Sequence, residues 1–257
     1  MKHFLYLFFI VLSSQSFGQT DQELSLNELF KTAIIENDIP SQKKLSKELK
    51  SNYNINTINY YRTLLSGVPN NSILITNGFE DTYPITIIQI TESIGVNIEV
   101  VSLKLLKEEK YINRVFDKLK INKDFDKTSP SIYLGKLLSA NKKVFISSTL
   151  NPNHYGSYSN HFFVVGLSLE YKSKSQLNKL ELFWADLQNK NKYKFSLSAK
   201  EKGIYSNYLP PLLTLYKLKL GSGVKDESLK LGILHIAQLV NKLTTVKSII
   251  EQYEKGG

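Results

Sequence analysis

The chain has 257 residues, of which 42% are hydrophobic, and it has no cysteine and a formal net charge of +10. This length and hydrophobic content can support a sizeable core, and the missing cysteine excludes disulfides, thiolate metal sites and a cysteine nucleophile. Arg62 and Arg114 are the only arginines among 33 basic residues, which argues against a dedicated nucleic-acid reader because phosphate and base recognition favour arginine.

The first 18 residues are predicted to be a secretory signal peptide. Lys2 precedes an apolar run over residues 5–12, and the small residues Ser16 and Gly18 occupy the −3 and −1 positions of a cleavage site before Gln19. The apolar run is far shorter than the roughly 20 residues of a membrane-spanning helix. We therefore expect export to the periplasm or the medium, with a retained N-terminal anchor as the alternative.

The remaining chain is predicted to fold as an α/β protein. Residues 19–66 have apolar side chains at helical spacing and form an N-terminal helical segment, and residues 67–200 form an α/β domain. Residues 201–257 form a C-terminal helical segment that packs on this domain. The expected architecture is a three-layer sandwich with a mostly parallel sheet.

The most informative stretch, residues 72–104, has the pattern of a βαβ unit. An apolar run at 73–75 is followed by Gly78, an isoleucine-rich helix and a second apolar run over 96–101. The loop after the first strand of such a unit meets the N-terminus of the next helix at the carboxyl edge of the sheet, where ligands bind. Residues 77–82 are therefore the first candidate site.

The same loop also fits a helix start. Asp81 or Thr82 could be the N-cap, Pro84 could lie in the first helical turn, and Gly78 could supply a turn. Capping does not require Asn77 or Glu80, so a binding function would depend mainly on these two residues.

Further polar groups are expected near this edge of the sheet. Residues 142–150 are predicted as a third strand, which would bring Ser148 to the edge if the strands are parallel. His154 and His161 lie in and beside a turn-rich loop, but their spacing matches no metal site, so we predict neither a metal nor a cofactor. Trp184, with Tyr155 and Tyr158, could form a sugar-stacking platform. The predicted binding residues are Asn77, Gly78, Glu80, Asp81, Thr82, Gln89, Ser148 and His154.

Two families resemble parts of this stretch. Residues 77–103 resemble the start of the DJ-1/PfpI superfamily, in which a strand ends in a Gly-Phe-Glu turn, but the cysteine of that superfamily's catalytic elbow is missing here. A longer resemblance is to the soluble C-terminal part of multi-pass, glycosyltransferase-like membrane proteins related to transmembrane protein O-mannosyltransferase. The family motif N-G-D-N-D-T-x-P is matched by Asn77, Gly78, Asp81, Thr82 and Pro84, with Gln89, Leu105, Leu106, Tyr111 and Ile112 matching later positions. This resemblance extends over most of residues 68–253.

The longer resemblance implies a non-catalytic function. Phe79 and Glu80 replace an Asp-Asn pair of the family motif, which weakens the acidic cluster, and the membrane part to which that family's transferase chemistry is assigned is absent. We therefore expect an exported, non-catalytic binding or accessory domain.

Two other functions stay open. One is a carbohydrate-active enzyme that uses Glu80 and Asp81, which would need a distant partner such as Asp186 because glycosidase carboxylates stand about 5 Å or more apart across the substrate. The other is an envelope-associated structural protein whose lysines bind anionic surfaces. The expected partner is a glycan or an envelope protein and not a nucleic acid. Peripheral membrane contact and the oligomeric state are left open.

Overall fold

The computed structural model describes residues 21–122, 130–173, 176–189 and 196–256. The predicted signal peptide lies outside these residues. The N-terminal part is helical, as expected, with α1 (Asp21–Glu36), α2 (Ile39–Lys50) and α3 (Ile55–Ser66). Asp38 and Asn54 cap α2 and α3 by accepting hydrogen bonds from the backbone N–H groups of Ser41 and Asn56.

The α/β part follows, and it begins with the predicted βαβ unit and contains the predicted third strand. Its elements are β1 (Ile73–Thr76), α4 (Phe79–Glu92), β2 (Glu99–Ser102), α5 (Glu109–Leu119), α6 (Pro130–Leu138), β3 (Val144–Ser147), β4 (Phe162–Val164), β5 (Ser168–Tyr171) and α7 (Gln176–Asn189). Short 3-10 helices lie at Leu105–Lys107 and, between β3 and β4, at Pro152–His154 and Gly156–His161. The chain ends with α8 (Ala199–Tyr205), the 3-10 helix Ser206–Tyr208, α9 (Leu209–Gly221), α10 (Glu227–Leu239) and α11 (Leu243–Gly256).

The five strands form one open, mostly parallel sheet in the order β2-β1-β3-β5-β4. β1 is parallel to both β2 and β3, with Ile73 opposite Glu99 on one side and opposite Val144 on the other. β5 is antiparallel to β3 and to β4, so it alone runs against the other four strands. The predicted α/β class with a mostly parallel sheet is confirmed.

Hydrophobic cores on both faces of the sheet make the three layers. Leu74 and Phe145 point into one core, which contains side chains of α3 and of the helices from α7 to α11. Ile73, Ile75 and Ile146 point into the other, which contains side chains of α1, α2, α5 and α6. The alternation follows from strand geometry, in which successive side chains point to opposite faces. Because both faces are covered, β1 and β3 are buried along their whole length.

The crossover helix α4 contributes to both cores. Ile85 and Ile88 belong to the core with Leu74, whereas Tyr83 and Ile87 belong to the other. This double role explains why the helix is rich in isoleucine on more than one side. The packing of α4 against both cores also holds its N-terminus at the end of β1.

Side chains form hydrogen bonds with backbone groups of both outer strands. The hydroxyl of Tyr111 on α5 accepts a hydrogen bond from the N–H of Ser102 (3.0 Å) and donates to the carbonyl of Val100 (3.4 Å), both in β2. On the other side, the amide nitrogen of Gln176 donates to the carbonyl of Val164 in β4 (3.0 Å). The polar backbone of an edge strand needs such partners wherever it is shielded from water.

Candidate functional site

The carboxyl ends of β1 and β3 form a topological switch point. From β1 the chain crosses through α4 to β2 on one side, whereas from β3 it continues to β4 and β5 on the other side. In open α/β sheets the loops that leave two such strands separate, and ligands bind in the crevice between them. Residues 77–82 and 148–154 follow β1 and β3, so the predicted site region lies at this position.

Asp81 joins the two loops. Its Oδ2 atom accepts hydrogen bonds from the hydroxyl of Thr149, which follows β3, and from the backbone N–H of Asn77 (3.3 Å), which follows β1. Its Oδ1 atom lies 2.8 Å from the hydroxyl of Tyr61 on α3. Thr149 is also bonded to the hydroxyl of Ser147 (2.6 Å). One carboxyl group therefore connects α3, α4 and the ends of both strands.

This carboxyl group is buried. Asp81 is only 4% exposed, and burial raises its pKa, although the hydrogen bonds from Thr149, Tyr61 and Asn77 act in the opposite direction. Burial together with the nearby charge of Asp81 raises the pKa of Tyr61 well above its usual value. The effect of burial exceeds that of the hydrogen bonds, so the pKa of Asp81 is higher than that of an aspartate in water.

Pro84 explains why Tyr61 also contacts the backbone here. A proline has no N–H, so the carbonyl of Glu80, four residues earlier, lacks its helical donor. The hydroxyl of Tyr61 lies 3.1 Å from this carbonyl oxygen and can replace that donor. Pro84 lies inside α4 and not in the first turn, which corrects the expectation from the sequence.

The expectation that Asp81 or Thr82 caps the helix is also wrong. α4 begins at Phe79, Gly78 occupies the N-cap position, and no side chain caps it. Thr82 is buried and donates a hydrogen bond to the carbonyl of Gly78 (2.8 Å), and its hydroxyl also lies 2.7 Å from that of Thr76 at the end of β1. Thr82 therefore stabilises the loop between β1 and α4 through buried hydrogen bonds.

Gly78 is buried beneath Lys104. A Cβ atom at residue 78 would lie 2.5 Å from Cδ of Lys104 and 3.2 Å from its Nζ. The lysine side chain, which follows β2 and is itself exposed, therefore lies directly on the glycine backbone at the start of α4. Asn77 is half-buried and Glu80 is exposed on the same loop. These three side chains form the accessible border of the site on the β1 side.

The other predicted site residues have different environments. Gln89 donates from its amide nitrogen to the carbonyls of Gly95 (2.7 Å) and Ile98 (3.0 Å), so it ties the loop after α4 and lies away from Asp81. Ser148 is half-buried, and its backbone N–H donates to the carbonyl of Leu167 (3.2 Å). His154 is half-buried in the first 3-10 helix after β3. Of the hydroxyls at the end of β3, that of Thr149 and not that of Ser148 contacts Asp81.

The structure does not assemble the aromatic platform considered from the sequence. Trp184 is buried on α7, where its ring packs against Gly232 of α10. Tyr155 packs edge-on against Phe162, with ring centroids 5.5 Å apart, and the hydroxyl of Tyr158 lies over Gly135 of α6. The tryptophan therefore belongs to the C-terminal helical layer, while both tyrosines hold the loop after β3 to the body of the protein.

Sequence reasoning missed Tyr61 and Lys104. Tyr61 lies 20 residues before Asp81, and no local pattern marks it. One signal existed, because a proline within the helix implies that the carbonyl of Glu80 needs another donor, but that signal does not say which residue supplies it. Asp186 lies on α7, where its charge acts on the buried hydroxyl of Tyr208.

The described residues contain neither a metal-ligand cluster nor a membrane-spanning helix. Within residues 21–122, 130–173, 176–189 and 196–256, no three histidine, aspartate or glutamate side chains are grouped as metal ligands would be. In the same ranges no helix combines the length and the hydropathy needed to cross a bilayer.

Comparison with known families identifies a family for this chain. The family described as TMEM260-associated domain 2 matches residues 57–212, which is more than half of the 257 residues. The chain belongs to this family. The longer resemblance found in the sequence is thus supported at the level of a TMEM260-related domain of a glycosyltransferase-related family. No curated protein and no solved structure matches the chain.

The TMEM260-associated domain includes the whole candidate site. The matched range starts in α3, four residues before Tyr61, and ends in α9, so it contains β1 to β5 and both loops that meet at Asp81. It starts earlier and ends earlier than residues 68–253, over which the resemblance was expected. α10 and α11 follow the matched range.

Proposed function

We propose that this TMEM260-associated domain is an exported, non-catalytic binding or accessory domain that meets a glycan or an envelope protein at the carboxyl edge of β1 and β3. The observation that carries the proposal is the meeting of both strand-end loops at the Asp81 carboxyl group, at the switch point of the sheet. Loops held on a rigid sheet in this way are common sites of recognition.

The state of the two carboxylates favours binding over catalysis. Asp81 is buried and its oxygens are bonded to Tyr61, Thr149 and the Asn77 backbone, whereas Glu80 is exposed on the outside of the helix. A glycosidase needs its two carboxyl groups on opposite sides of one substrate bond. Neighbouring residues with one buried and one exposed side chain do not have that arrangement.

The border of the site has the groups that a polar ligand requires. Asn77 can both donate and accept hydrogen bonds, Glu80 accepts, and Lys104 donates. His154, on the loop from the other strand, can do either. Such a mixture of neutral and charged groups suits a hydroxyl-rich ligand or a polar protein surface.

Binding to a glycan array tests the proposal. Glu80→Gln and Asn77→Ala alter the border of the site, and Glu251→Gln on the exposed side of α11 is the matched control for charge. If the site binds a glycan, each border variant should weaken binding by about twofold to twelvefold, because one hydrogen bond contributes about 0.5–1.5 kcal/mol. The control should bind like the wild type.

Other outcomes would point elsewhere. If both border variants bind every array glycan and envelope partner as the wild type does, the site proposal is wrong. Glycan hydrolysis or transfer that disappears in Glu80→Gln would support an enzyme. Binding to anionic vesicles that is lost above about 0.3 M salt would support the surface-charge function, since the screening length is then only a few ångströms.

Export is tested on its own. The predicted cleavage before Gln19 should give a mature chain that begins at this residue, which the intact mass of the protein recovered from the periplasm or the medium would show. A mass that retains Met1 to Gly18 would instead support an N-terminal anchor.

A further inference from the structure

The hydroxyl of Tyr61 has one proton and two acceptors. It lies 2.8 Å from Oδ1 of Asp81 and 3.1 Å from the backbone carbonyl oxygen of Glu80. A phenol donates only one hydrogen bond, although its oxygen can also accept. The protonation state of Asp81 therefore decides to which acceptor Tyr61 donates.

With Asp81 neutral, every polar group in the cluster has a partner. The carboxyl proton on Oδ1 is donated to the oxygen of Tyr61, and Tyr61 donates its own proton to the carbonyl of Glu80. That carbonyl has no helical donor because of Pro84. Oδ2 still accepts from Thr149 and from the N–H of Asn77.

With Asp81 ionised, the same geometry is less favourable. Tyr61 must donate to the carboxylate, so the carbonyl of Glu80 loses the hydroxyl that replaces the missing N–H of Pro84. The negative charge is also held in a buried position. Thr149 and Tyr61, whose hydrogen bonds act on the pKa of Asp81, are uncharged, and Glu80 adds a like charge.

The groups that face Asp81 from α3 and from the loops after β1 and β3 carry no positive charge. From α3, Tyr60 and Tyr61 are titratable, and both are neutral when the carboxyl group ionises because burial raises the pKa of each. Asn77 and Thr149 present uncharged groups from the two loops. The exposed Lys104 lies over Gly78, on the outside of the loop.

We propose that Asp81, Tyr61 and Thr149 form a proton-operated latch, which holds the loops after β1 and β3 together when Asp81 is neutral and releases them when it ionises. In the structure the hydroxyl of Thr149 donates a hydrogen bond to Oδ2 of Asp81 and so joins the loop after β3 to the start of α4 at the switch point. Release hydrates the carboxylate and exposes its oxygens, the hydroxyl of Thr149 and the N–H of Asn77 to a ligand. The latch regulates the proposed binding site, so this role of the latch rests on the proposed function.

The latch predicts a specific dependence on pH. Closure retains a proton that the open form releases, so the ratio of closed to open molecules should fall by up to tenfold per pH unit between the pKa of Asp81 in the open form and its higher midpoint of titration in the closed form. The burial of Asp81 moves that midpoint upward from the value in water. The loops should therefore loosen as the pH rises.

Backbone hydrogen exchange tests the latch without any ligand. Protection factors, corrected for the intrinsic pH dependence of exchange, are measured for residues 77–82 and 148–151 between pH 4 and pH 8. In the wild type, both segments should lose protection progressively as the pH rises across this range. In Asp81→Asn, which cannot ionise, their protection should be independent of pH.

Two further variants examine the geometry. Thr149→Val removes the hydroxyl that bonds the loop after β3 to Asp81, and protection of both segments should be low at every pH. Thr149→Ser retains the hydroxyl and should behave as the wild type. Protection of β1 and β3 themselves serves as the internal control for global unfolding.

The latch is refuted if wild-type protection of the two segments does not change with pH, or if Asp81→Asn follows the wild-type curve. These measurements are independent of the glycan array. A pH-dependent opening in a protein that binds no glycan and no envelope partner would contradict the proposed function but leave the latch intact. The reverse result would contradict the latch alone.

Discussion

Replacing Glu92 with glutamine should destabilise the protein in a way that disappears in acid. Glu92, at the end of α4, accepts hydrogen bonds from Nε (2.5 Å) and Nη2 (2.7 Å) of Arg62 on α3, and Lys50 of α2 lies 2.8 Å from Oε1. Three helices are therefore joined at one carboxylate whose side chain is 14% exposed.

The size of the effect follows from the pKa of this group. The hydrogen bond from Arg62 is the largest contribution that lowers the pKa of Glu92 from 4.5 to about 2. At 1.36 kcal/mol per unit the full shift would correspond to about 3 kcal/mol. The two cations are about one-third exposed, so solvent screening reduces the expected loss in Glu92→Gln to about 1–2 kcal/mol at pH 7.

The lowered pKa of Glu92 determines how the stability difference depends on pH. A carboxylate whose pKa is lowered by folding stabilises the folded state above its unfolded value of 4.5, and this contribution is lost as the pH falls toward about 2. Urea denaturation at several pH values should therefore show a wild-type advantage over Glu92→Gln that is constant above pH 5 and vanishes near pH 2. Glu251→Gln, on an exposed surface, should match the wild type throughout.

Two results would refute this reasoning. A difference below about 0.3 kcal/mol at pH 7 would mean that the ion pair contributes no more than an ordinary exposed pair. A difference that persists unchanged at pH 2 would mean that glutamine disturbs the packing of the helices and that charge is not the cause.

Three further changes have definite expected outcomes. Tyr111→Phe removes the hydroxyl that forms hydrogen bonds with two backbone groups of β2. It should lower the free energy of unfolding in urea by about 1–3 kcal/mol. An unchanged value would mean that water replaces the hydroxyl. Gly232→Ala inserts a methyl group into the ring of Trp184 and should cost about 1–3 kcal/mol and change the fluorescence of the single tryptophan. Gly203→Ala is the control, because a Cβ atom at residue 203 would have no neighbour within 4 Å. This change should be neutral or should stabilise the protein by up to about 1 kcal/mol. Equal effects at residues 203 and 232 would contradict the packing argument. Asp81→Asn should lose the decline in stability with rising pH that a buried acid with a raised pKa imposes on the wild type, and parallel stability curves would contradict this.

The layers of the fold could be predicted because they depend on local patterns. The apolar run at 73–75, the break at Gly78 and the isoleucine-rich helix indicate a crossover unit whatever surrounds them. The strand ends were less accurate. The run predicted over 96–101 became β2 at Glu99–Ser102, because Val96 lies exposed in the preceding turn.

The candidate site could be predicted only in position. The topology of a βαβ unit brings residues 77–82 to the carboxyl edge, and the structure has them there. Whether this edge is open or shut depends on contacts between distant parts of the chain. The bonds of Asp81 to Tyr61 and Thr149 cross 20 and 68 residues, and no periodicity in the sequence encodes them.

The side chains that cover the outer strands also limit how another molecule can associate with this protein. An extended peptide that tried to lengthen the sheet would have to displace Tyr111 from β2 or Gln176 from β4 before it could pair with the backbone there. Copies of the chain meet the same obstacle to joining sheet to sheet, which protects against polymerisation. A partner that avoids this cost must engage side chains and loops, so its selectivity would depend on residue identity more than on main-chain pairing.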